Sequence, residues 1–78
     1  MAPITTYTER IANRVEAAMS ERGINLHQMS VRAHIPRTTL RNQLAGAAQF
    51  KVEQLFRVCQ VLGVELSDML RELDEDAA

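Results

Sequence analysis

The 78-residue chain predicts an all-α fold of five short helices, and three features of the sequence carry that expectation. Apolar residues recur at three- and four-residue spacing along most of the chain, no stretch alternates apolar and polar residues over a useful strand length, and the three glycines stand where the helical patterns stop. With 46% hydrophobic and 24% charged residues the chain can build a core, and its size suits one domain with a radius of gyration of about 11–12 Å.

Thr6 and Glu9 have the spacing of a capping box, which opens a first helix at about residue 7. Tyr7, Ile11, Val15, Ala18 and Met19 then give it an apolar face until Gly23 ends it near residue 22. Asn25 and Gln28 repeat the capping-box spacing and open a second helix over about 26–33, with Met29, Ser30 and Ala33 turned inward. His34-Ile35-Pro36 makes the next turn, because proline suits the first turn of a helix and not its interior. A third helix follows over about 37–45, with Leu40 and Leu44 on the core side and Arg37, Thr38, Arg41 and Asn42 on other faces, before Gly46 ends it. Val52, Leu55, Phe56, Cys59 and Leu62 mark a fourth helix that stops at Gly63, and Leu66, Met69, Leu70 and Leu73 mark a short final one. The domain is expected to span residues 1–73, with a frayed acidic tail over 74–78.

Several functions are disfavoured at once. The single Cys59 excludes an internal disulfide and any multi-thiolate metal site, and it fits a cytoplasmic protein. No apolar run approaches the ~18 residues of a membrane span, and the first residues lack a basic stretch followed by an apolar one. Cys59 falls on an apolar stripe, where a small core residue is expected and a nucleophile is not, so no catalytic residue is assigned. His27 and His34 lie seven apart with no supporting ligand cluster, so neither metal nor cofactor is implied. Met19, Met29 and Met69 are expected to fill the core.

The net charge of −1 conceals a division along the chain. Between Arg22 and Val52 stand Arg22, Arg32, Arg37, Arg41 and Lys51 with no acid, whereas residues 53–78 hold seven acids and two basic residues. The middle of the chain is therefore expected to face an anion. Two short helices joined by a three-residue turn, the second bearing basic and amide side chains, form a helix-turn-helix, the unit that sets a recognition helix in the major groove of DNA.

The stretches from Ile24 to Leu40, Val52 to Phe56 and Leu62 to Leu70 resemble the lambda-repressor/Cro-like (Xre-type) helix-turn-helix family. That resemblance implies a compact five-helix domain acting as a sequence-specific transcriptional regulator, of the phage or prophage repressor/Cro type. It implies double-stranded operator DNA as partner and a homodimer on DNA. Leu66, Met69, Leu70 and Leu73 offer more apolar surface than one short terminal helix needs and are the candidate interface, with packing on the domain's own core as the alternative. Arg37, Thr38, Arg41 and Asn42 match positions that commonly face base edges in the family. Asn25, Gln28, Thr39, Gln49 and Lys51 are the expected phosphate partners, beside the free N–H groups at the starts of the second and third helices. An alternative is a protein-interaction module such as an antitoxin or adaptor, using the last helix and the acidic tail.

The chain departs from the family pattern at four places. Leu26 stands where a glutamine often clamps the DNA backbone, and His34 stands where the corner usually has glycine. Met19 and Leu44 replace an Arg–Glu pair that often ties the first and third helices together. Losing both charges together can be neutral or stabilising where losing one would strand its partner, so the Met19 and Leu44 side chains are expected to touch in the core.

Overall fold

The structure, a computed structural model, describes residues 7–77, with side chains as far as Arg71. Five helices follow in order: α1 (Tyr7–Arg22), α2 (Leu26–Ala33), α3 (Arg37–Leu44), α4 (Val52–Leu62) and α5 (Leu66–Ala77). The radius of gyration is 12.0 Å. Helix α1 packs against α3, α4 and α5, while α2 lies between α3 and α4. No described helix is long and apolar enough to cross a membrane.

One core joins all five helices. Val15 and Met19 of α1 meet Met29 and Ala33 of α2, Ile35 of the turn, Leu40 of α3, Leu55, Val58, Cys59 and Leu62 of α4, and Met69 of α5. The three expected core methionines are all buried there. Cys59 is buried too, its Sγ 3.8 Å from Met69 Sδ, and burial pushes its thiol pKa up. Leu44 is half-buried and packs against the cluster to which the buried Met19 belongs.

The apolar face of α1 is turned slightly from the expected one. Ala12, Val15 and Met19 are its buried residues, Ile11 and Ala18 are half-buried, and Tyr7 is exposed with the Arg10 guanidinium 5.8 Å from its ring centroid. Thr6 of the expected capping box lies outside the described residues. Helix α5 is continuous from Leu66 to Ala77 and so includes residues 74–77 of the acidic tail.

Helices α1, α2, α3 and α4 end in one kind of turn. The residue after the helix, or one further on, takes a left-handed conformation, and the next N–H bonds back across the last turn: Ile24 to Met19 O, Ile35 to Ser30 O, Ala47 to Asn42 O and Val64 to Cys59 O. At three of these turns the left-handed residue is glycine, and at Gly46 a side chain would also crowd Glu9, whose Cγ would stand 3.3 Å from an added Cβ. The fourth is His34, at φ 56° and ψ 46°. Ser30 Oγ donates to Ile35 O at 2.6 Å and helps to hold this corner.

His34 is therefore a side chain in a position built for none. The left-handed region costs an L-residue about 1–2 kcal/mol, and the greater freedom of glycine in the unfolded chain returns part of that gain. His34→Gly should stabilise the fold by about 0.5–1 kcal/mol, read as a higher denaturant midpoint at unchanged slope. An unchanged or lower midpoint would show that the histidine makes a compensating contact.

Two arginines from distant segments close helix ends. Arg22 Nε donates to Leu62 O at 2.7 Å, at the end of α4, and Arg57 Nε donates to Ala33 O at 2.7 Å, at the end of α2. Each satisfies a carbonyl left over where a helix stops and sets a cation at the negative end of the helix dipole. Arg22, counted on sequence among the anion-facing residues, is thus turned to α4.

Candidate nucleic-acid interface

Helices α2 and α3 form the two arms of the helix-turn-helix, and the base-reading candidates all lie on the outside of α3. Arg37, Thr38, Arg41 and Asn42 are exposed, whereas Leu40 and Gln43 are buried on the opposite side. This division follows from the helical repeat: residues 37, 38, 41 and 42 form a strip three to four residues apart, and 40, 43 and 44 form the face turned to the core.

The phosphate candidates fall into two groups. Asn25 and Gln28, both exposed, form the reciprocal cap expected of them: Asn25 Oδ1 accepts from the Gln28 N–H at 2.8 Å, and Gln28 Oε1 accepts from the Asn25 N–H at 2.9 Å. Both amide oxygens are engaged within the cap, which fixes the amide orientations and leaves the NH2 groups as donors at the start of α2. The start of α3 lies beside it, for His27 Nδ1 and Arg37 Nη2 are 2.8 Å apart.

Gln49 and Lys51, also exposed, belong to the loop that follows α3. Gln43, 1% exposed, donates through Nε2 to Gln49 O at 3.2 Å and to Gln54 Oε1 at 2.8 Å, and Gln54 Oε1 also accepts from the Lys51 N–H at 3.0 Å. Gln43 Oε1 has no protein partner among the described residues. The loop is thereby fastened near the C-terminal end of α3, six residues or about 9 Å along the axis from Arg37. Thr39 is half-buried and lies between the exposed strip and the core face. The nine candidate residues thus occupy the outside of α3, the start of α2 and the loop at the far end of α3.

Three side-chain contacts were not read from the sequence. Those of Gln43 had a signal, since it stands three residues after Leu40 and so shares its face. The bonds from Arg37 to His27 and from Arg57 to Ala33 had none, because the partners lie 10 and 24 residues apart and no local spacing announces them. Glu16, Leu26, Arg41, Leu44 and Ala45 line a shallow depression, so Leu26 shares that surface with Arg41 and supplies no amide to it.

The five-helix architecture, with α2 and α3 as its helix-turn-helix, is shared with solved structures. The crystal structure of the clp gene regulator ClgR from Corynebacterium glutamicum is similar over 100% of both chains, with a TM-score of 0.87 and 22% identity. A second ClgR structure matches 95% of this chain and 77% of that one at a TM-score of 0.82 and 20% identity. A variant of the restriction-modification controller protein C.Esp1396I matches 95% of each chain at a TM-score of 0.81 and 11% identity. At these identities the likeness is one of fold. No protein-family model and no curated protein matches the chain.

Proposed function

We propose that the chain is a sequence-specific DNA-binding transcriptional regulator of the repressor or Cro type, which sets α3 in the major groove of a double-stranded operator. One observation carries this reading: the exposed strip of α3, the second helix of the helix-turn-helix, gathers Arg37, Thr38, Arg41 and Asn42. Arginine can bond guanine O6 and N7 together, asparagine can bond adenine N6 and N7, and the threonine methyl can touch thymine. Asn25 and Gln28 on one side and Gln49 and Lys51 on the other would hold phosphates, with Thr39 behind them. The names of the similar structures, a gene regulator and a controller protein, support the same role.

A single domain reads few base pairs, so the proposed bound form is a homodimer on half-sites about 34 Å apart. Of the expected interface on α5, Met69 is buried in the core and Leu66 packs against it, whereas Leu70 is exposed and available to a partner. The side chain of Leu73 lies outside the described residues. A protein-binding module is a second reading, favoured by Val52 and Phe56, which stand four apart on α4 and are 77% and 50% exposed.

Selection of bound duplexes from a random pool, followed by titrations of variants, tests the proposal. Arg41→Ala should cost about 1–3 kcal/mol on the selected site and relax choice at one base pair. Lys51→Ala should weaken all sequences alike and lower the slope of log affinity against log salt by about one unit. Recovery of no preferred sequence would reject the regulator and favour the protein-binding reading, and selected sites lacking a second half-site would reject the dimer.

A further inference from the structure

We propose that His27 is a positioning residue for base recognition: without touching DNA, it holds the Arg37 guanidinium in the orientation in which that group reads its base pair. The inference rests on the DNA-binding reading above and deepens it at one residue. His27 is the second residue of α2 and Arg37 the first of α3, both side chains are exposed, and Arg37 Nη2 lies 2.8 Å from His27 Nδ1. A guanidinium can only donate, so Nδ1 must be the acceptor and the ring proton must sit on Nε2. The bond therefore has one possible direction, and the neutral ring adds no charge of its own to the interface.

Three physical points turn this contact into a specificity device. First, arginine has five N–H groups, and the histidine occupies one, which leaves enough for a bidentate contact with guanine. Secondly, an exposed arginine otherwise samples many rotamers and must give up that freedom when it binds; a bond made in the free protein removes part of the cost beforehand. Thirdly, the acceptor comes from α2, the other arm of the motif, so the guanidinium is aimed from outside its own helix. Arg41 and Asn42, on the same strip, have no side-chain bond of this kind among the described residues. The effect should therefore fall on the base pair that Arg37 reads and spare the others.

The experiment uses the full chain and the duplex it selects from a random pool, together with that duplex changed one base pair at a time and with bulk genomic DNA. Arg37→Ala locates the base pair that Arg37 reads. His27→Ala should lower discrimination at that pair about three- to tenfold, the range expected from releasing one long side chain, and should leave discrimination elsewhere, affinity for bulk DNA and the melting temperature unchanged. His27→Asn sets an amide oxygen the same number of bonds from Cα as Nδ1 and should restore discrimination. In the Arg37→Ala background, His27→Ala should have no further effect.

Distinct results overturn distinct statements. If Arg37→Ala relaxes no base pair, the base-reading assignment of Arg37 fails and this inference falls with it. If Arg37→Ala relaxes one pair and His27→Ala does not, DNA reading stands and the positioning role is wrong. If His27→Ala weakens selected and bulk DNA equally, the residue is a phosphate contact and again does not position Arg37.

Discussion

Leu40→Ala should cost the fold about 2–5 kcal/mol, the largest loss expected of any single truncation on α3. Leu40 is 0% exposed and is the side chain through which α3 enters the common core. Truncation removes the transfer free energy of three heavy atoms and leaves a cavity whose walls come from several helices, which cannot all move in to fill it. Stability of about 0.05–0.15 kcal/mol per residue gives a chain of this length a total in which such a loss is a large share. Denaturant unfolding should show a much lower midpoint with an unchanged slope. Leu44→Ala should lose less, since Leu44 is half-buried. A loss below about 1 kcal/mol at Leu40 would contradict its place in the core.

Replacing Arg57 with methionine should cost about 1.5–3 kcal/mol, the range for a hydrogen bond to a charged group. Two partners compete for the credit. Arg57 Nε donates to Ala33 O at 2.7 Å, and Arg57 Nη1 lies 3.0 Å from Glu53 Oε1. The Glu53 side chain is 85% exposed, so water screens that ion pair and it contributes little. The carbonyl of Ala33, by contrast, belongs to a buried residue at the end of α2 and loses its donor when the guanidinium goes. Methionine keeps most of the aliphatic packing, which isolates the polar loss. Glu53→Gln should accordingly cost less than about 0.5 kcal/mol in the same unfolding measurement. Equal losses for the two variants would move the credit from the helix end to the ion pair.

Most of the helix limits were legible because turn chemistry marks them locally. Asn25 with Gln28, Pro36, and glycines at 23, 46 and 63 each act within a few residues of the boundary they set. The outward strip of α3 was legible for the same reason, since the helical period alone puts Arg37, Thr38, Arg41 and Asn42 opposite Leu40. Long-range closures were not legible. Arg22 and Arg57 reach carbonyl oxygens 40 and 24 residues away, and a backbone carbonyl carries no signature in the sequence. That is why counting charge in the middle of the chain placed Arg22 with the anion-facing residues. The turn of the apolar face on α1 was not legible either, since it buries Ala12, a small residue that adds little to an apolar pattern, and leaves the larger Tyr7 exposed.

Gln43 limits how far α3 can roll about its own axis. Apolar contacts such as those of Leu40 are non-directional, and on their own they let a helix rotate in its groove with little change in energy. A roll of about 10° moves a side chain that reaches about 5–6 Å from the axis by about 1 Å, enough to take a hydrogen-bonding group off its target. Amide hydrogen bonds, in contrast, weaken steeply with angle. The two bonds from Gln43 Nε2, to Gln49 O and Gln54 Oε1, leave α3 on the side opposite Arg41 and act as an angular stop. A polar residue in the core of so small a domain thus supplies what the leucines around it cannot, a fixed azimuth for everything on the outer face of the helix.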